Sequence, residues 1–291
     1  MRVDEQARRC VAFLSVRVDV PRSVSTCFRP VGTVFFIGQD LGRDRWVKYA
    51  VTARHVIDGS RPCGPLHIRC ASRDGVNRKL FVMPQDDWWI HPSADVAVAP
   101  ITIPLERYDL GFLPTELFAN DEWMREHDVG IGDHLAVPGL LAHHIGTERD
   151  EPSLRFGRIS LIPQAKIVIP PQGALPGMEM DAILAELSAW AGQSGSPAFV
   201  YFSIDRGLFA GKALQLQIPS PRLLGILHGH FIIPQAVRER DEEFLHAHVP
   251  LNSGIAILVP ATKITEVLQG EEPQEHRERC NAILSEEGLG D

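Results

Sequence analysis

Residues 191–200 read AGQSGSPAFV. Two glycines and a proline bracket Ser194, and the apolar Ala198, Phe199 and Val200 follow at once. Glycine and proline mark turns, so the serine sits on a tight, backbone-dominated corner that feeds a strand. Such a corner is either an ordinary loop or a device for presenting one hydroxyl.

Outward from that corner, short β-like runs fill the chain. VAFLSVRVDV (11–20) alternates, GTVFFIG (32–38) leads to WVKYAVTARHV (46–56), and PLHIRCA, KLFVMP, ADVAVAPI, DHLAVPG, LRFGRISLI, AKIVIP, SPAFVYF, LLGILHGHF and SGIAILVP follow. With 22 Pro and 24 Gly distributed between them, about a dozen short strands predict an all-β fold of sandwich or paired-barrel type. DAILAELSAWA (181–191) has helical spacing. ATKITEVLQG (261–270) reads as a C-terminal helix that starts after Pro260 and stops at Gly270, and the charged stretch past 270 as a second helix or a frayed tail. The polar segment 234–248 reads as a surface insertion interrupting two strands, and 114–130 as the connector between two lobes.

Composition narrows the function classes. The chain has 291 residues and a formal net charge of -8, which gives nucleic-acid binding no electrostatic support. No apolar run approaches membrane-spanning length, and Arg17 and Asp19 interrupt the only N-terminal apolar run, so no signal peptide is expected. Cys10, Cys27, Cys63, Cys70 and Cys280 are odd in number and lack a CxxC motif, which predicts free thiols and a cytoplasmic setting. The pairs His143–His144, His228/His230 and His246/His248 lack a Cys or carboxylate at zinc-site spacing, so neither metal nor cofactor is expected.

A nucleophilic serine needs a base within hydrogen-bond reach, and the base needs a carboxylate to orient it. YAVTARHVIDG places His55 just after an apolar strand, and HPSADVAVAPI places Asp95 at the start of another. Ser194 completes a set in the order His, Asp, Ser, with gaps of 40 and 99 residues.

These three motifs resemble those of trypsin-like serine peptidases: TARHV is similar to their T-A-x-H histidine motif, ADVAV to D-I/V-A, and GQSGSP to G-x-S-G-G/S-P. GTVFFIG, GDHLAVPG with LRFGRIS, and SGIAILVPATKI resemble flanking strands of bacterial HtrA-type members. The resemblance covers about residues 11–270. It implies two six-stranded antiparallel β-barrels (about 11–115 and 130–260) with a C-terminal helix at 261–270, followed by the charged 271–291. It also implies a serine endopeptidase acting on polypeptides, with an oxyanion hole from the backbone N–H groups of Gly192 and Ser194. Gln193 stands where digestive members have an aspartate. It cannot make their activating ion pair but can hydrogen-bond the loop, so no N-terminal trimming is expected.

For the substrate pocket, the resemblance points to Ser188, six residues before the serine, with walls from His228, Gly229, His230 and Gly254. A hydroxyl at Ser188 cannot neutralise a buried guanidinium, which disfavours cleavage after Arg or Lys. Glutamyl endopeptidases and picornaviral cysteine peptidases place a histidine in the corresponding strand to read Glu or Gln. Either His228 or His230 does so here, or both face solvent around a medium apolar pocket. Two further readings stand beside the active peptidase. One is a silent scaffold. The other is a latent enzyme awaiting a regulatory protein partner, docked on 234–248 or the tail, since no PDZ-sized segment follows.

Overall fold

In the computed structural model, described here for residues 5–19, 26–73, 77–141, 146, 150–169, 177–188, 190, 192–203, 206, 219–239 and 242–287, the chain is built mainly of strands arranged in two lobes. The first lobe holds β1 (Val11–Asp19), β2 (Thr26–Asp40), β3 (Trp46–Thr52), β4 (Leu66–Ala71), β5 (Arg78–Met83), β6 (Trp89–Ile90), β7 (Ala97–Pro100) and β8 (Leu113–Pro114). The second holds β9 (His134–Gly139), β10 (Ser153–Leu161), β11 (Ile167–Ile169), β12 (Met178–Met180), β13 (Ile183–Glu186), β14 (Pro197–Tyr201), β15 (Arg222–Glu239) and β16 (Glu242–Pro260). Helices are α1 (Glu5–Arg9), α2 (Arg54–Ser60), α3 (Asp121–Glu126), α4 (Thr262–Leu268) and α5 (Glu271–Glu287). Among the described residues no helix is long and apolar enough to cross a membrane.

The second lobe closes into a six-stranded barrel, ordered β10-β13-β16-β15-β14-β9. The first is an eight-stranded sheet, ordered β5-β4-β1-β2-β3-β7-β6, with β8 added parallel to β2. Its ladder stays open between β5 and β6, where β6 offers only two residues. The all-β class, a closed six-stranded barrel and the C-terminal helix are as the sequence predicts; the other expected six-stranded barrel is instead an open eight-stranded sheet, because the two-residue β6 cannot close the ladder onto β5.

Side-chain alternation builds three cores from these strands, because successive residues of a strand face opposite sides. Val34 and Phe36 of β2 enter the first-lobe core, while Phe35 and Ile37 enter a core shared between the lobes. On β16, Ala256 and Leu258 fill the second barrel, while Ile257 and Val259 join the shared core. Strands buried on both faces read as continuous apolar runs, which is why FFI and AILV carry no polar interruption. Each fully buried side chain of this kind contributes about 1.5–3 kcal/mol. The shared core continues into α4 through Ile264, Val267 and Leu268. Helix α5 lies against the first lobe, its His276 ring 6.0 Å from Tyr49 and 5.7 Å from Trp89.

Two local readings differ from the sequence expectation. Residues 183–186 form β13 between β10 and β16, not a helix. Ile183, Ala185 and Leu187 are buried while Glu186 and Ser188 are exposed. That two-residue period, satisfied by two neighbouring ladders, overrides the helix preference of Ala, Leu and Glu. Residues 234–248 do not interrupt the strands either. The ladder between β15 and β16 continues through Pro234↔Pro250 and Gln235↔Val249 to Glu239↔Glu242, making one long two-stranded ribbon. His143 and His144 lie outside the described residues, as do the side chains of His246 and His248.

Where β15 passes β16 at Gly225 there is no room for a side chain. A Cβ on Gly225 would stand 2.2 Å from the backbone oxygen of Val259. Backbone cannot step aside as a flexible side chain can, so Gly225→Ala should destabilise the chain by about 1–3 kcal/mol. Urea denaturation reads this directly, and an unchanged midpoint would contradict the packing described.

Candidate active site

His55 occupies the first turn of α2, immediately after β3 delivers the chain through Thr52 and Ala53. It is anchored to Asp95 twice. Its backbone N–H donates to Asp95 Oδ1 at 2.8 Å, and its Nδ1 lies 2.7 Å from Asp95 Oδ2. A ring nitrogen facing an ionised carboxylate carries the proton, which assigns the Nδ1–H tautomer and leaves Nε2 with a lone pair.

Asp95 is 3% exposed. Burial pushes its carboxyl up. His55 and His228 together outweigh burial and hold it below the usual carboxylate range. The loop that presents it is fixed by His91, a buried residue the sequence reading did not single out. His91 Nδ1 accepts the backbone N–H groups of Ser93 (3.1 Å) and Ala94 (2.8 Å). Nε2 must then carry the proton, and it donates to Glu266 Oε2 of α4 at 2.9 Å. The C-terminal helix thus steadies the aspartate loop of the first lobe.

Ser194 sits on the corner between Gly192 (φ +92°) and Gly195 (φ +87°), two left-handed positions that favour glycine. At Gly195 space forbids anything larger, since a Cβ would lie 2.2 Å from Thr33 O and 2.3 Å from Thr52 Oγ1. Gln193 is fully buried, and its Oε1 accepts the Trp190 N–H at 3.0 Å, so this side chain braces the loop by a hydrogen bond. Among the described residues the N–H groups of Gly192 and Ser194 have no backbone acceptor. The corner is tied to the first lobe by Thr33, whose N–H donates to Ser194 O (2.9 Å) and whose hydroxyl donates to Gly192 O (3.0 Å).

The Ser194 hydroxyl donates to the backbone carbonyl of His228 at 3.1 Å. His228 itself is 7% exposed, and its Nδ1 lies 2.5 Å from Asp95 Oδ2, the same oxygen that His55 approaches. The two imidazole rings meet edge to face at 5.2 Å. His55, Asp95 and His228 are also the one group among the described residues whose donor atoms could converge on a cation. The N···O separations of 2.5 and 2.7 Å are hydrogen-bond distances. Two ligands of a tetrahedral zinc, each about 2.0–2.1 Å from the metal, stand roughly 3.3 Å apart.

Of the residues expected to line a pocket, Ser188 is exposed on the segment leaving β13. The preceding residue, Leu187, donates its N–H to Gly254 O at 2.9 Å, so these two segments are adjacent. Gly254 has φ +79°, and neither it nor Gly229 would meet another atom within 4 Å through an added Cβ. His230 is half-buried, and burial lowers its pKa. His228 departs from this group by turning to Asp95. All five cysteines are free. Burial pushes Cys10 and Cys70 up to about 12, far from a reactive thiolate.

The depressed Asp95 carboxyl fixes a sign for acid stability. Its folded value lies below its unfolded one, so the contribution is complete above the unfolded value of about 3.9 and is lost as pH falls through the folded value. Between pH 5 and pH 3, wild type should therefore lose more stability than Asp95→Asn in chemical denaturation. A difference between the two that stays constant across that range would contradict the arrangement.

No family model matches the chain, and no curated protein matches it. Among solved structures, the chain is similar to the MamO protease domain from Magnetospirillum magneticum in its apo form, with 13% identity, a TM-score of 0.48, and 91% of this chain and 98% of that one covered. It is also similar to the Rv3671c protease from M. tuberculosis in its active form (17% identity, TM-score 0.46, 90% and 80% covered) and in its inactive form (17%, 0.46, 90% and 88%). At TM-scores below 0.5 these likenesses lend no weight to a function.

Proposed function

We propose that this chain is a serine endopeptidase. The observation that carries the reading is the convergence of three residues far apart in sequence. A buried Asp95 holds His55 by both backbone and ring, and a serine on a glycine-rich corner stands beside the same aspartate's second partner, His228. In this reading Ser194 Oγ attacks the peptide carbonyl carbon. His55 Nε2 takes the hydroxyl proton and returns it to the leaving amine, and Asp95 keeps the tautomer and stabilises the imidazolium. Water then hydrolyses the acyl-enzyme with the same base. The N–H groups of Gly192 and Ser194, which have no backbone acceptor among the described residues, would receive the oxyanion, a contribution of roughly 2.7–4 kcal/mol for one such donor. The setting is cytoplasmic and the substrate a polypeptide.

Ser188, Gly229, His230 and Gly254 form the proposed primary pocket. None supplies a carboxylate, so cleavage after Arg or Lys is disfavoured. A latent form of the enzyme is favoured by one observation: the serine hydroxyl rests on the His228 carbonyl and not on His55. An engaging partner would release it.

With a library of unstructured peptides read by mass spectrometry, the wild-type chain should produce cleavages that disappear in Ser194→Ala. The residual rate of that variant should be about 10³–10⁴ over water. Equal cleavage by the variant would end the assignment, and a preference for Arg would displace the proposed pocket.

A further inference from the structure

His228 lies at a break in strand register. On β15 the pairing advances from Leu227 to Gly229 while β16 advances only from Leu258 to Ile257, so His228 is the extra residue of a bulge. Bulges re-aim a side chain out of the regular alternation. Leu227 points into the second barrel core. The bulge sends the next side chain across the lobe boundary to Asp95 Oδ2, and it leaves the His228 carbonyl on the Ser194 hydroxyl. One residue therefore touches both ends of the proposed catalytic set.

We propose that His228 is a fourth member of this site, a positioning residue that shares the Asp95 carboxylate with His55 and sets how much of its charge His55 receives. It is not a reader of the substrate side chain. Its kinetic consequence rests on the peptidase reading, whereas its effect on the titration of His55 does not. The titratable groups facing the His228 ring are Asp95 and His55. Ile257 and Leu258 on β16, and Pro197 on β14 opposite Ile226, do not titrate.

The sign follows from the shared oxygen. Asp95 Oδ2 accepts from two imidazoles and Oδ1 from the His55 backbone. An opposite charge nearby favours the charged form of a base, in proportion to how little of that charge is already engaged. A second ring on Oδ2 weakens the pull of Asp95 on a proton at His55, and a charge on that ring would oppose it further. Removing the ring leaves the carboxylate to His55 alone. The imidazolium form of His55 is then favoured, and its titration midpoint moves to higher pH. Asparagine keeps an N–H donor on the carboxylate but cannot take a charge.

The test is NMR titration of the His55 ring in the Ser194→Ala chain, which keeps the site without turnover. The midpoint should be lowest with His228, intermediate in His228→Asn and highest in His228→Leu, each variant first shown folded by circular dichroism. One midpoint common to all three would overturn the proposal. So would the reverse order. In the chain with Ser194 intact, His228→Leu should lower kcat tenfold or more with KM little changed. It should also move the acid limb of kcat/KM to higher pH. A raised KM with unchanged kcat and an altered preference at the cleaved residue would make His228 a substrate reader and overturn the proposal. If the wild-type chain hydrolyses nothing, the peptidase reading fails while the titration order still decides the role of His228.

Discussion

Thr33 holds the two lobes in the one relation that makes a site possible. It is fully buried on β2, and each of its polar groups is used. Its N–H donates to Ser194 O and its hydroxyl to Gly192 O. The same hydroxyl accepts the Leu140 N–H at 2.9 Å, and its carbonyl accepts Thr52 Oγ1 at 2.7 Å. Each bond is worth only about 0.5–1.5 kcal/mol net, but a buried partner left unpaired costs about 1–3 kcal/mol. The serine corner belongs to the second lobe, whereas Thr52 is three residues before His55 in the first. Thr33 bridges them, and Gly195 lacks the Cβ that would push Thr33 and Thr52 away.

Around that bridge the shared apolar core does two things. It fixes the lobes by burying one face of the central strands of each, and it removes water from the surroundings of Asp95. A carboxylate so buried stays ionised only with partners that outweigh its desolvation. Two imidazoles and a backbone N–H supply them. The same charge that stabilises the fold at neutral pH is therefore the charge a base at His55 would use. The support extends outward through His91 to Glu266, so the C-terminal helix steadies the aspartate without touching it.

Much of this was legible in the sequence. The alternation of β1, β3 and β4, the apolar runs of β14 and β16, and the helix from Thr262 all follow from period and punctuation. His55 and Asp95, 40 residues apart in sequence, lie within hydrogen-bond distance, and the corner at Gly192–Gly195 is as tight as its composition suggests. What stayed hidden depends on contacts across the chain. Ile183–Glu186 is rich in helix formers and became a strand only because two neighbours complete its ladders. The β15–β16 ribbon hides behind charged residues that a pairing strand tolerates. The direction of His228 depends on a one-residue bulge, which a strand-period reading cannot see. Thr33 looks like any β-branched strand residue, and only the folded chain shows how many partners it has.

The central claim is that Ser194 is a nucleophile made reactive by its surroundings. Reaction with a fluorophosphonate, which phosphonylates activated serines and spares ordinary ones, tests it most directly. Mass spectrometry of the treated chain should place a single phosphonyl adduct on the peptide bearing Ser194, and His55→Ala should abolish the adduct. An unlabelled wild-type chain, under conditions that label a control serine hydrolase, would contradict the account. So would an adduct that forms equally well without His55.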